Sequence, residues 1–281
     1  MKRLLLVDGM NLHFQMFFGM PNKFHNENGI GIWGVIGFVG ALNKLINLTD
    51  PTHIAVIFDG EGHNPRCDIL EDYKANRPDY SELSEEENPF IQLPLVYKAI
   101  EAMGIPFCEV HGCECDDVIA TYAKRFSEDF QVIISSFDSD YFQLISDNVR
   151  VLRYRGLSSV ICDREYVINR YGILPEYYAD WKSLVGDTAD NIKGIRGVGP
   201  KTATKLITAY GTLAEMLGNI DCIEPENLRE KIKENSDILL RNYSLIKLDD
   251  AGILPFEIEE LAYTNEHIKT MDVLRKIYLL P

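Results

Sequence analysis

The chain has 281 residues, 46% hydrophobic and 25% charged, with a formal net charge of −15. This is globular composition with length for about two domains and a sizeable core, which excludes disordered, collagenous and small disulfide-scaffold classes. No apolar run reaches the roughly 18 residues of a membrane span, and the acid excess argues against a broadly basic nucleic-acid face unless the acids are gathered at a metal site.

The elements follow in chain order. Residues 3–7 (RLLLV) form an apolar run that stops at Asp8, which reads as a buried strand and is too short for a signal peptide. Apolar residues at helical spacing mark 32–48, and 53–58 (HIAVIF) is a second strand that stops at Asp59. A helix is expected over 90–103, then a short strand at 105–107, a helix at 115–126 and a third strand at 131–136. Helices are expected at 163–171, 175–185, 200–209, 226–248 and 266–279, and the acidic stretch 79–89 reads as a surface loop. The fold class is therefore α/β, with a mostly parallel sheet flanked by helices and a helical C-terminal region.

Two motifs are set aside. Gly29, Gly31 and Gly34 match GxGxxG, but a polar stretch precedes them in place of a strand, so no nicotinamide cofactor is expected. His111, Cys113 and Cys115 alternate as ligand types, yet no CxxC pair supports zinc. The six cysteines are expected to be free thiols in a cytoplasmic protein.

The acids are more informative. Asp8, Asp59 and Asp138 each follow a strand, and in parallel sheets sites lie at the carboxyl ends of strands. Turn chemistry is the plain alternative for any one of them. Glu114, Asp116 and Asp117 open a helix, Asp138 and Asp140 form a DxD, and Asp187 and Asp190 stand three apart. Carboxylates about 4 Å apart repel by about 4 kcal/mol at an effective dielectric near 20, so such a cluster calls for hard divalent cations. Two such ions can clamp the attacking and leaving oxygens of a phosphodiester.

Cations follow. Lys74 and Arg77 can meet one phosphate, and Arg66 upstream of them is expected to contact DNA. Residues 193–205 combine Lys193, Arg196, Lys201 and Lys205 with Gly197 and Gly199 before Pro200 and Thr202. Glycine amides and a helix N-terminus of this kind suit an anion, although Pro200 breaks the spacing of a Walker loop.

The segments LVDGMN (6–11), FD (58–59), DYKANRP (72–78), ECDD (114–117), FDSDYFQL (137–144) and LVGDTADNIKGIRGVGPKTA (184–203) resemble, in order, those of the bacterial and phage 5′ nucleases. These are flap-endonuclease-like enzymes that include the 5′→3′ exonuclease domain of DNA polymerase I. The resemblance covers nearly the whole chain and implies a stand-alone member or an excised domain. It implies that Asp8, Asp59, Glu114, Asp116, Asp117, Asp138 and Asp140 are metal-site acids, and that Asp187 and Asp190 serve a second metal. Lys74 would touch the scissile phosphate, with Arg77 one helical turn beyond and Tyr73 stacking near the unpaired end. Residues 78–103 would form a helical arch, and 191–210 a helix-three-turn-helix that grips duplex backbone, often with a potassium ion. The division implied is a nuclease core at 1–172 and a DNA-binding region at 173–281. Two positions depart from the family: Gln15 stands where an arginine is usual, and Phe137 where glycine is common before the DxD. The arch region is also acidic (Glu82, Glu85, Glu86, Glu87).

The expected function is that of a monomeric 5′→3′ exonuclease and flap endonuclease with two Mg²⁺ ions, or Mn²⁺ in their place. Its substrate would be DNA with a 5′ flap, nick or duplex 5′ end, in primer removal or repair. The rival is a junction-binding protein that has lost catalysis, motivated by Gln15 and the acidic arch. An RNA-directed nuclease is a third reading, and the duplex-gripping turn speaks against it.

Overall fold

The structure is a computed structural model and describes residues 2–249, 251–252, 254–264 and 268–280. In chain order the N-terminal part holds β1 (Lys2–Asp8), α1 (Gly9–Gly19), α2 (Trp33–Thr49), β2 (His53–Asp59), α3 (Arg66–Ile69), α4 (Leu93–Ala102), β3 (Phe107–Val110), α5 (Cys115–Phe126), β4 (Phe130–Ser135), β5 (Val149–Arg153) and β6 (Val160–Cys162). It continues with α6 (Arg164–Tyr171), α7 (Tyr178–Val185), a hairpin of β7 (Gly186–Asp187) and β8 (Ile192–Lys193), α8 (Pro200–Tyr210), α9 (Leu213–Gly218), α10 (Glu226–Glu234), α11 (Ser236–Ile246) and α12 (Thr270–Lys276).

The main sheet runs β3-β2-β1-β4-β5-β6, parallel except for β6. Side chains of a strand alternate between faces. Leu5, Val7, Ile54, Val56 and Phe58 therefore pack with α2 and α4 on one side, while Leu4, Leu6, Ala55, Ile57, Val132 and Ile134 pack with α5 and the C-terminal helices on the other. Both faces are covered, which is why β1 reads as a continuous apolar run. Gly9 follows β1 because α1 starts against β2: a Cβ there would lie 2.6 Å from the Phe58 ring. Strand order reverses at β1, which has β2 on one side and β4 on the other, so a crevice opens at their carboxyl ends.

Several expectations are corrected. The region 78–103 holds no helical arch: 78–88 are turns and irregular backbone, and α4 is a core helix with Val96, Ala99 and Ile100 buried. Its apolar stripe at three- and four-residue spacing drives it onto the sheet, and the polar stretch before it has no such face. The expected helix at 226–248 is two helices parted at Asn235, and β3 starts at Phe107 rather than at residue 105. The last helix begins at Thr270, and residues 266–267 of its expected span lie outside the described residues. It packs on α2 and α4, far along the chain from its neighbours in sequence.

Candidate metal centre

The crevice collects the strand-end acids. Asp8 ends β1 and caps α1: its carboxylate accepts from the Asn11 amide at 2.9 Å and from Ser136 Oγ at 2.8 Å. Asp59 ends β2 and accepts from the Cys115 amide at 2.8 Å, which ties the start of α5 to the sheet. Ligand atoms of Asp8, Cys115 and Asp116 lie within 4.8 Å of one another. Burial pushes the Asp8 carboxyl up to about 7, with Asp59 and Asp138 adding to the shift. Burial, then Asp138, Asp8 and Asp59, holds Asp116 well above the carboxylate range, and Tyr141 donates to it. The Cys115 thiol is raised by burial and the same acids, so it stays protonated and points its sulfur at Asp116 (3.4 Å) and Asp59 (3.6 Å).

A second group lies beside the first. Asp140, Asp187 and Asp190 bring oxygens within 4.8 Å of one another. Asp138 joins the two groups, since its Oδ1 accepts from the Asp140 amide at 2.8 Å. Lys182 of α7 reaches in, paired with Asp140 and with Asp187 at 2.5 Å. Burial still raises Asp140 to about 7 despite Lys182. Burial also opposes the charged form of Asp187, but Lys182 and the Ala189 and Asp190 amides outweigh it and hold that carboxyl low. The sequence reading missed Lys182 because it lies within an apolar helical segment, between Trp181 and Leu184.

The donor set fits hard divalent ions. The oxygens are carboxylates crowded in a buried crevice, and the raised values of Asp8, Asp116 and Asp140 record the cost of charging them without a cation.

Residues 73–77 cross the mouth of the second group. Lys74, at φ 57°, pairs with Glu114, and its amide donates to the Asp190 carbonyl at 3.1 Å. Arg77 donates to Asp190 at 3.0 Å. Three sequence expectations are corrected here. Tyr73 is not a free stacking ring: it is 5% exposed, and its hydroxyl lies 3.2 Å from Glu114 and 3.3 Å from Asp190. Arg66 is not on a DNA-facing surface: buried, it clamps Asp117 through both carboxylate oxygens (2.7 and 2.9 Å) and Glu114 at 3.0 Å. Asp117 is thereby committed to Arg66 rather than to a metal, because a planar guanidinium fork matches a carboxylate. Gln15 donates to the Tyr154 carbonyl at 2.6 Å.

Residues 191–210, expected from the resemblance to grip duplex backbone, form a hairpin strand, a turn and a helix. The hairpin of β7 and β8 follows α7, and a turn then leads into α8 with Pro200 in its first turn and no side chain capping Gly199. Lys193, Arg196, Lys201 and Lys205 are exposed along it, Thr202 is half-buried, and Gly197 has φ 86°. Gly194 is required by close backbone approach, since a Cβ there would lie 2.3 Å from the Val185 carbonyl group.

A parallel sheet that gathers two groups of carboxylates at its switch point, with lysines reaching into them, defines an α/β protein built to hold divalent cations. Two family models match the chain: "5′-3′ exonuclease, N-terminal resolvase-like domain" over residues 3–172 and "5′-3′ exonuclease, C-terminal SAM fold" over 173–269. The chain belongs to the 5′-3′ exonuclease family. It is 35% identical to a 5′-3′ exonuclease of Aquifex aeolicus, over 88% of this chain and 82% of that one. It is also 35% identical to DNA polymerase I of Bacillus caldotenax, over 94% of this chain and 30% of that one, so it spans under a third of that relative's length. Among solved structures, the T5 D15 protein co-crystallised with metal ions shares the fold at TM-score 0.75 and 21% identity, over 98% of this chain and 99% of that one. The catalytic core of Rad2 in complex with DNA substrate shares it at TM-score 0.57 and 16% identity, over 98% and 91%.

Proposed function

We propose that this chain is a magnesium-dependent 5′→3′ exonuclease and flap endonuclease acting on DNA flaps, nicks or duplex 5′ ends. The observation that carries the reading is the pair of adjacent acidic groups at the sheet's switch point, Asp8 and Asp116 with the Cys115 sulfur, and Asp140, Asp187 and Asp190, each with ligand atoms inside 4.8 Å. Asp8, Asp59, Asp116 and Asp138 would hold one cation and Asp140, Asp187 and Asp190 the other, with Glu114 oriented between Lys74 and Arg66. When bound, two dications neutralise the carboxylates and polarise a phosphodiester. Manganese has the same oxygen preference and would substitute.

Lys74 has its charge held at the mouth by Glu114 and would turn to the phosphate, where a positioned cation stabilises developing negative charge. Arg77 would hold a neighbouring phosphate. Lys193, Arg196, Lys201, Lys205 and the α8 amides would grip duplex backbone, with the turn at 195–199 as the place for a potassium ion. On this reading residues 1–172 are the catalytic core and 173–281 the duplex-gripping part, working in the cytoplasm on primers or damaged ends. The chain's negative charge is accommodated because many acids face the crevice and the cations sit on the gripping turn.

The test is a cleavage time course on a 5′-flap duplex with Mg²⁺ or EDTA, for wild type and Asp140→Ala. Metal-dependent cutting near the junction, lost in the variant, is expected. Tight binding with no cutting by the wild type would instead establish a junction-binding protein.

A further inference from the structure

A second feature of the crevice lies on the side of β5, away from Lys74. Phe137 immediately precedes the metal-site acid Asp138, and its backbone is pinned at both ends. Its amide donates to Asn11 Oδ1 of α1 at 3.0 Å, and its carbonyl accepts from Arg153 at 3.0 Å. Arg153 is itself fixed, with its guanidinium 4.7 Å from the Phe142 ring centre. The half-buried Phe137 ring carries a second arginine: the Arg155 guanidinium lies 5.3 Å from its centre.

Arg155 is exposed, yet its backbone is hydrogen-bonded on both sides. The Arg155 amide donates to Ser159 Oγ at 2.9 Å, and Ser159 Oγ donates in turn to the Gly156 carbonyl at 2.6 Å. The Tyr154 carbonyl just before it is tied to α1 by Gln15 at 2.6 Å. Three elements (α1, β5 and the turn after it) therefore hold a cation over an aromatic ring one residue from the metal acids. Among the described residues no carboxylate pairs with that guanidinium. A planar cation on a ring has lost little freedom to arrange, keeps its edge donors open and matches phosphate geometry. An aromatic face beside it accepts any base.

We infer that Arg155 and Phe137 form a phosphate-and-base clamp for the single strand entering the metal centre, with Arg155 on a phosphate near the scissile bond and Phe137 against the adjoining nucleotide. This rests on the nuclease reading above and adds to it a contact from the β5 side, opposite Lys74 and Arg77. Phe137 and Gln15, the two departures from the family pattern, then belong to one device: Gln15 sets the loop and Phe137 carries the cation.

The experiment compares wild type, Arg155→Ala, Arg155→Lys and Phe137→Leu in two assays. The first is single-turnover cleavage of a 5′-flap duplex in Mg²⁺. The second is binding in Ca²⁺ to the same flap and to a blunt duplex of equal length, at several salt concentrations. Arg155→Ala should lower the cleavage rate by roughly ten- to hundredfold, the size of one charge-assisted hydrogen bond. It should also reduce the salt slope of flap binding by about 0.7, one single-strand phosphate contact. Blunt-duplex binding should not change, which a loss of folding would not spare. Arg155→Lys should recover part of the loss, and Phe137→Leu should weaken flap binding without changing the slope. Unchanged flap binding and salt slope in Arg155→Ala would overturn the clamp, as would equal losses on flap and blunt duplex. If the wild type binds flaps and does not cut, the nuclease reading fails alone, and the binding arm still decides on Arg155.

Discussion

Metal-free protein should lose stability as pH rises through neutrality. Asp8 and Asp140 are raised to about 7 in the fold, by burial first, against 3.8 ordinarily. Between those values the folded chain keeps these two protons, which the unfolded chain has released, and Asp116, raised further, acts with the same sign; the contribution of Asp8 and Asp140 is full below the unfolded pKa and is lost as pH rises through about 7. One pKa unit is worth about 1.4 kcal/mol, so moving from about pH 5.5 to about pH 8 removes about 2 kcal/mol per group, or about 4 kcal/mol for both. At roughly 2–4 °C per kcal/mol, the Tm of EDTA-treated protein should fall by roughly 10 °C. Burial lowers the pKa of His13, so it acts with the opposite sign and offsets part of the fall below about pH 6.5. Asp8→Asn keeps His13 and removes one of these carboxyls, so it should shrink the fall by about 2 kcal/mol. Millimolar Mg²⁺ should raise Tm far more at the higher pH, because binding must displace these protons at the lower one. The assay is thermal unfolding followed by circular dichroism. A Tm that rises with pH in EDTA, or a Mg²⁺ shift equal at both pH values, would refute the assignment of these acids to a metal centre.

Arg66→Ala should destabilise the fold by about 3–5 kcal/mol in urea denaturation, because it leaves Asp117 buried without its cation and Glu114 with Lys74 alone; an unchanged midpoint with weakened DNA binding would restore Arg66 to the DNA surface. Lys74→Ala should lower single-turnover cleavage by about a hundredfold or more with little change in duplex affinity, and a pure affinity loss would count against its role at the phosphate. Replacing Arg196 and Lys201 together with alanine should flatten the log–log salt dependence of duplex binding by about two, one unit per phosphate contact. Gly194→Ala should abolish duplex binding by forcing the hairpin away from Val185, and retained binding would show that the hairpin does not shape the grip.

The strand-end acids were legible because short apolar runs stopping at Asp8 and Asp59 leave little choice of structure. The resemblance set Asp187 and Asp190 apart from Asp140, and no local rule brings α7 against the turn after β4, so their convergence is seen only in the fold. Arg66, Asp117 and Tyr73 could not be placed from sequence. Their residue types suit a surface contact and a buried network equally, and only the fold brings Arg66 to Asp117 across 51 positions. Helix α1 does not show in the residue pattern because apolar residues surround its axis and glycine stands at both ends. β5 and β6 are short, and the arginines within β5 dilute its apolar signal. The arch expectation failed for a related reason. Position in the family pattern pointed to a projecting helix, while the apolar stripe of α4 pointed into the core.

The central claim is that the two carboxylate groups form one two-cation nuclease site. Its most direct test is the single-turnover rate on a 5′-flap duplex as Mg²⁺ is titrated from trace to saturation, for wild type and Asp187→Asn. A rate that rises with the second power of Mg²⁺ at low concentration in wild type, and with the first power and a lower ceiling in the variant, is the predicted result. A first-power dependence in wild type, or cutting that persists in EDTA, would contradict it.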